Sequence, residues 1–281
     1  MLSIAPGAGQ QPESLPSSVM VSEGTKRELP LVIVGLDARK PYVSMACAHS
    51  ISRIAPSRRV HFLDTEALRR AGVYLRAKDV RGNQAFDVID GKPFSTDFSF
   101  SRFLVPALFE RQPQWAVFCD DDFMWRESVD GLLPLLDDKY AVMVVKHDFQ
   151  PLPGMKMDGQ MQLPYRRKNW SSMILWNLGH PSNGKLTTGM VNTAPGSYLH
   201  GFDWLRDEEI GALPEKWNWL EGHSDPEIEP AAVHYTRGGP WLTQYRKAAY
   251  AEEWLALHFS SLNAIAKEAQ TPKPRVAFMG W

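Results

Sequence analysis

The 281-residue sequence predicts an α/β fold, a parallel or mixed sheet with helices on both faces, and three observations carry that expectation. Trp115-Ala116-Val117-Phe118-Cys119 is an unbroken apolar run, the pattern of a strand buried on both sides. Leu31-Val32-Ile33-Val34-Gly35-Leu36 is a second such run. A polar break, a helical stripe and a third run, Val60 to Leu63 ending at Asp64, follow it with the spacing of a β-α-β unit.

Each element has its own local reason. Residues 1–30, with Pro6, Gly7, Gly9, Pro12 and Pro16, lack periodicity and are expected to form a mobile arm before a single domain over 31–281. After Asp37-Ala38-Arg39-Lys40-Pro41, a helix from about Tyr42 to Ile54 places Val43, Cys47, Ile51 and Ile54 on one face. Ser95 to about Glu110 reads as a helix with the stripe Phe98, Arg102, Val105 and Phe109, capped by Ser95 or Thr96 and kinked at Pro106. Leu132 to Leu136 continues a helix, and Ala141 to Val145 and Ser172 to Trp176 read as buried strands. The segment His147 to Lys168 is rich in Pro, Gly, Met and Gln and reads as a long excursion bordering a site. Ala231 to Thr236 is a late strand. Thr243 to about Ala269 is a terminal helix expected to bury Ala248, Leu255, Phe259, Leu262 and Ala266.

Composition excludes several classes of function. With Lys+Arg 31 against Asp+Glu 32, the net charge of −1 gives no general grip on nucleic acid. Cys47 and Cys119 lie in apolar stretches without metal-like spacing, which suits free thiols in a reducing compartment. There is no secretory signal pattern and no apolar run long enough for a transmembrane segment, so the expected location is cytoplasmic, with any membrane contact peripheral.

The first apolar run described above ends abruptly in Asp120, Asp121 and Asp122 before Phe123-Met124-Trp125. Extended geometry sends Asp120 and Asp122 to one side and Asp121 to the other. Two converging carboxylates repel unless a proton or cation lies between them, and a divalent cation that also grips phosphate answers that need. An acidic turn with one Asp capping a helix near Glu127 fits the same residues. His234 precedes Tyr235-Thr236-Arg237-Gly238-Gly239-Pro240-Trp241, where two glycines admit a phosphate to the backbone and Arg237 adds a cation. An imidazole beside two carboxylates favours Mn²⁺ or a similar transition ion while admitting Mg²⁺. A hydrogen-bonded structural histidine is the competing reading.

The Asp120-Asp121-Asp122 triplet and the His234 to Trp241 run resemble the DXD and C-terminal His motifs of family 8 glycosyltransferases, with the likeness spanning about Leu31 to Trp241. The runs Ser101-Arg102-Phe103-Leu104-Val105-Pro106 and Tyr165-Arg166-Arg167-Lys168-Asn169-Trp170-Ser171-Ser172 resemble a bacterial subgroup. The resemblance implies a GT-A fold, Rossmann-like with a mixed, mostly parallel sheet, and a retaining, metal-dependent hexosyltransferase using a UDP-sugar donor. It implies metal ligation by Asp120, Asp122 and His234, and donor contacts from Asp37, Arg39, Arg102, Asp121, Arg237, Gly238 and Gly239. It implies catalytic contacts to the sugar from Asn169, Asp207 and Glu208, with Glu208 the nucleophile if a covalent intermediate forms. Helix capping by Asp37, a structural ion pair at Arg102 and a solvated helix start at Asp207-Glu208-Glu209 are the corresponding bland readings.

The acceptor implied is a glycan or glycolipid hydroxyl, and for a bacterial protein the resemblance implies a surface polysaccharide as the product. One departure stands out: Gly239 occupies the place of a lysine that usually meets the diphosphate, with Arg237 the candidate replacement. Of ten tryptophans, Trp217 and Trp219, flanking Asn218, are the pair singled out for acceptor binding, the others being assigned mainly to the core. A non-catalytic nucleotide-sugar or carbohydrate-binding protein on the same scaffold is the alternative. Nucleotidyl or phosphoryl transfer is disfavoured because there is no Walker loop and the acidic motif does not follow the first strand.

Overall fold

The computed structural model describes residues 31–109, 114–148 and 166–266, with the backbone alone of 154–155, 161–162 and 267–270. The expected N-terminal arm, Glu110, Tyr165, the terminal Pro272-Lys273-Pro274-Arg275 and much of the excursion from His147 to Lys168 lie outside these residues.

The chain opens with β1 (Leu31–Gly35), α1 (Pro41–Ile54), β2 (Val60–Leu63) and α2 (Thr65–Arg70), as the β-α-β spacing requires. Asp64 caps α2, its carboxylate accepting the backbone N–H groups of Glu66 and Ala67. A small antiparallel sheet follows, β3 (Lys78–Arg81), β4 (Gln84–Asp87) and β5 (Pro93–Phe94), which the sequence reading missed because its strands are short and polar. Arg76 anchors it through a buried pair with Asp87 at 2.6 Å and donation to the Val191 and Ala194 carbonyls.

The helix expected over Ser95 to Glu110 is instead a turn, a 3₁₀ segment Ser101–Leu104 and the short α3 (Val105–Leu108). Pro106 has no N–H to give to the Arg102 carbonyl, so a continuous helix cannot pass through it. Next come β6 (Trp115–Cys119), β7 (Phe123–Trp125), a 3₁₀ segment Val129–Leu135 containing Pro134 where a helix was expected, and β8 (Val142–Val144). Ser128 caps that segment, so none of the three aspartates serves as its cap.

A two-stranded hairpin pairs β9 (Gly154–Met155) with β10 (Met161–Gln162). It is followed by β11 (Met173–Asn177), α4 (Thr188–Thr193), α5 (Gly196–His200), β12 (Ile210–Ala212), β13 (Trp219–Leu220), β14 (Ala232–His234) and α6 (Ala251–Gln270).

The main sheet has the order β12-β8-β11-β6-β1-β2. Only β11 runs against its neighbours, so the sheet is mixed and mostly parallel, as expected. Alternate residues of β6 enter two cores. Ala116 and Phe118 face Phe98, Phe103 and Trp204, whereas Val117 and Cys119 face Ile51 of α1, Leu132 and Trp217. All five residues of β6 are buried, and each large apolar side chain so placed contributes about 1.5–3 kcal/mol.

A second sheet, β13-β14-β7, leans on the first and sets His234 opposite Phe123. The terminal helix begins later than expected, after Tyr250 in the left-handed region at φ 58. It buries Ala251, Trp254, Leu257 and Ser261, whereas Leu255 is half-buried and Phe259, Leu262 and Ala266 are exposed. The expected face lost because Trp254 and Leu257 pack with Val43 and Ala46 of α1 and Val233 of β14. No helix among the described residues is long and apolar enough to cross a membrane.

Candidate active site

The three aspartates lie where the two sheets meet, between β6 and β7. Asp120 donates its backbone N–H to the Ser172 carbonyl, and Tyr235 donates its own to the Asp122 carbonyl, so both arms of the turn are fixed by main chain. Asp120, Asp122 and His234 converge, with one ligand atom of each within 4.8 Å of the others. His234 Nε2 lies 3.3 Å from Asp122 Oδ1. Asp121 faces the opposite way, towards Ser44 Oγ at 3.4 Å and Lys40 Nζ at 3.7 Å. Burial pushes its carboxyl up to about 7, outweighing the attraction of Lys40. Asp120 and Asp122 thus lie on one side and Asp121 on the other, as expected, but the three acids form the turn between β6 and β7 and do not continue the strand.

The donor set fits a divalent cation on an observation beyond its composition. Ser172 donates its hydroxyl proton to the Asn169 carbonyl at 2.7 Å, so Ser172 Oγ accepts from Asn218 Nδ2 at 2.9 Å. That orients Asn218 with Oδ1 towards His234 Nδ1, 2.9 Å away. Nδ1 therefore carries the proton, and Nε2 turns its lone pair to the acids. Two acceptors that face each other are held together by a cation, a second proton on the ring or a metal ion.

Asp120, Asp122 and His234 line one lobe of a two-lobed cleft, and Asp122 lines the other as well. One lobe is bounded by Phe94, Ser99, Phe100, Lys168, Asn169 and His200, the other by Asp37, Arg39, Lys40, Tyr42, Arg237 and Trp241. Ser95, Thr96, Asp122 and Thr236 line both.

In the first lobe, Arg102 is buried, pairs with Asp120 through Nη1 at 2.6 Å and donates to the Ser171 carbonyl at 2.7 Å. Its immediate role is thus to orient a carboxylate, although it also reaches the cavity wall. Asn169 adopts φ 65 and turns its side chain into the wall, where its Nδ2 meets no hydrogen-bond acceptor among the described residues. Lys168 is buried beside it, and burial lowers its ammonium to about 8. His200 pairs with Ser171 Oγ at 2.8 Å and packs on Phe103, and burial pulls its imidazole well down.

In the second lobe, Asp37 is fully buried and holds Arg39 through both carboxylate oxygens, at 2.9 and 2.7 Å, while Arg39 also reaches the Ser95 carbonyl. It does not cap α1, whose N-cap residue is Lys40. Arg237 lines this lobe together with Gly238, whereas Gly239 is packed beneath the Trp241 ring.

Asp207 and Glu208 are not brought to the cleft. Both are exposed on a 3₁₀ turn, Asp207 paired with Arg167 at 2.5 Å and Glu208 with Arg206 at 3.3 Å. Trp217 and Trp219 are buried in the core, so the expected pair of aromatic platforms is absent from the cleft and the residue between them, Asn218, is the one that reaches the site. Sequence reasoning also missed Lys40, Lys168 and His200. The signal for Lys40 was its place in the loop after β1, beside two residues already selected, and for Lys168 its place next to Asn169. Nothing local marked His200.

No protein-family model matches the chain. Protein CDI of Arabidopsis thaliana is 43% identical over 242 residues, covering 83% of this chain and 88% of that protein. Among solved structures, the WbbM bifunctional glycosyltransferase in its apo form aligns with a TM-score of 0.56 and 16% identity, over 84% of this chain and 50% of that one. This chain thus spans about half the length of that enzyme. The glycosyltransferase GlyE of Streptococcus pneumoniae TIGR4 aligns with a TM-score of 0.53 and 13% identity, over 89% of this chain and 67% of that one. At such identities the likeness is one of fold, and the fold is that of GT-A glycosyltransferases.

Proposed function

The chain belongs to the same family as Arabidopsis thaliana Protein CDI, and for it we propose a retaining, Mn²⁺-dependent glycosyltransferase that moves a hexose from a UDP-sugar to a hydroxyl of a glycan or glycolipid. The observation that carries this reading is the convergence of Asp120, Asp122 and His234 in one lobe of a two-lobed cleft in a GT-A fold, with Asp122 shared by both lobes. The resemblance to family 8 glycosyltransferases in the same residues supports it.

Asp120, Asp122 and His234 would hold the ion. When bound, it supplies Lewis-acid stabilisation of the charge that develops on the leaving diphosphate. The lobe lined by Asp37, Arg39 and Arg237 takes the nucleotide, and the lobe lined by Asn169 takes the sugar and the incoming hydroxyl. Asn169 Nδ2 donates to a sugar hydroxyl, which would satisfy a buried donor. Arg102 keeps Asp120 in the geometry that ligation needs.

Front-side attack, in which a departing phosphate oxygen receives the acceptor's proton, needs no carboxylate on the far side of the sugar. The exposure of Asp207 and Glu208 favours it over double displacement. Cys47 and Cys119, buried free thiols 3.9 Å apart, suit a reducing, cytoplasmic setting.

Calorimetric titration of UDP, GDP and CMP with and without Mn²⁺ tests the reading. UDP binding that requires Mn²⁺ is the expected result, followed by turnover with a UDP-sugar. Binding without turnover on any acceptor or water would leave a nucleotide-sugar-binding protein, and no nucleotide binding in any condition would sink the proposal.

A further inference from the structure

We infer that Lys40 and Arg237 supply the positive charge that meets the donor's diphosphate, in place of a side chain at position 239. The inference rests on the donor reading above and concerns which residues of this chain carry the charge.

Three cations line the nucleotide lobe, and each is tied to an acid that lies deeper. Arg39 pairs with Asp37 at 2.7 Å, Lys40 with Asp121 at 3.7 Å and Arg237 with Glu221 at 3.7 Å. The acids' side chains are 0%, 0% and 11% exposed, the cations' 49%, 23% and 43%. All three pairs thus turn their positive ends to the lobe, a fixed field suited to an anion. Arg39 is committed through directed hydrogen bonds to both Asp37 oxygens and the Ser95 carbonyl. Lys40 and Arg237 line the lobe with partly exposed side chains.

Position 239 cannot provide the charge. A Cβ there would lie 2.2 Å from the Trp241 ring. That ring also borders Lys40, whose Nζ lies 5.5 Å from its centroid. A lysine at 239 and Trp241 in this place exclude each other, and the ring lies beside a cation from the loop after β1. Arg237 has its own accommodation. Gly222, at φ 73, lies directly beneath its guanidinium, where any Cβ would collide with Nη2. The backbone thus makes room for Arg237 at the lobe.

The test is titration of UDP and of inorganic pyrophosphate into the full chain with Mn²⁺, for the wild type and for Lys40→Gln, Arg237→Gln, Lys40→Arg, Arg237→Lys and Lys40→Gln/Gly239→Lys. Each Gln variant is expected to weaken both ligands by about tenfold or more, the scale of one charge-assisted hydrogen bond. The charge-conserving variants should recover most of the loss, which separates charge from folding. Gly239→Lys should restore nothing.

If the wild type binds UDP and both Gln variants bind it equally well, the clamp is overturned while the donor reading stands, and restoration by Gly239→Lys would overturn the exclusion of a lysine at 239. If the wild type binds pyrophosphate but not UDP, and the Gln variants lose pyrophosphate, the clamp stands and the donor reading falls. A wild type that binds neither overturns both.

Discussion

His234 Nδ1 and Asn218 Oδ1 share a hydrogen bond of 2.9 Å, and this contact determines which imidazole nitrogen faces Asp120 and Asp122. Asn218 is fully buried and is itself held by Ser172 Oγ. The ring stacks on Phe123 at 4.5 Å, so both its plane and its tautomer are set before any ligand arrives. Asn218→Leu should weaken Mn²⁺ binding by about tenfold to a hundredfold, the usual effect of losing an outer-sphere partner. Nitrogen-15 NMR of the metal-free protein at pH 8 should show His234 protonated on Nδ1 in the wild type and a tautomer mixture in the variant. An unchanged tautomer and unchanged Mn²⁺ affinity would remove Asn218 from this role.

Asp122→Ala should fold, because its side chain lies at the cleft and contributes to neither apolar core. Mn²⁺-linked UDP binding should be lost in calorimetry. Retention of that affinity would show that the metal, if one binds, sits elsewhere.

Glu208→Gln should leave donor binding and turnover within about threefold, since exposed ion pairs such as Arg206–Glu208 contribute little. A fall of several orders of magnitude with a trapped glycosyl adduct would instead mean that the carboxylate enters the cleft during the reaction and acts as a nucleophile.

Trp217→Ala should lower stability by about 3–5 kcal/mol, the range for a large buried aromatic. Trp217 is buried against Trp125 and so close to Gly131 that a Cβ there would lie 2.8 Å from its ring. Urea denaturation measures the change. A stable variant whose only defect is a raised acceptor KM would restore the acceptor-platform reading.

His200 titrates below its ordinary value, first through burial and then through the positive charges of Arg102, Lys168 and Arg76. As pH falls below about 6.5, the unfolded chain takes up this proton before the folded one does. The neutral ring's contribution is therefore complete above that pH and lost as pH drops towards the folded value. His200→Gln should lose less stability than the wild type between pH 7.5 and pH 5 in paired denaturation curves. Parallel losses in the two proteins would show that the ring is not responsible.

The continuous apolar runs at β1 and β6 were legible in the sequence, because strand geometry depends on neighbours in the chain, whereas the opposite sides taken by Asp120 with Asp122 and by Asp121 arise in the turn between β6 and β7. His234 could be selected as a third ligand by residue type, but its approach to the acids comes from the pairing of β14 with β7.

Other features were decided only by tertiary packing. The sequence of α6 offered two apolar faces, and the one carrying Trp254 won because α1 and β14 met it there. Glu208 and Asn218 are both polar residues in short 3₁₀ segments, yet one is exposed and the other buried against a candidate metal ligand. Local sequence sets which hydrogen bonds a residue can make and which backbone shapes it tolerates. Whether its side chain meets water, a core or a cleft depends on segments far away in the chain, and only the folded protein brings those together.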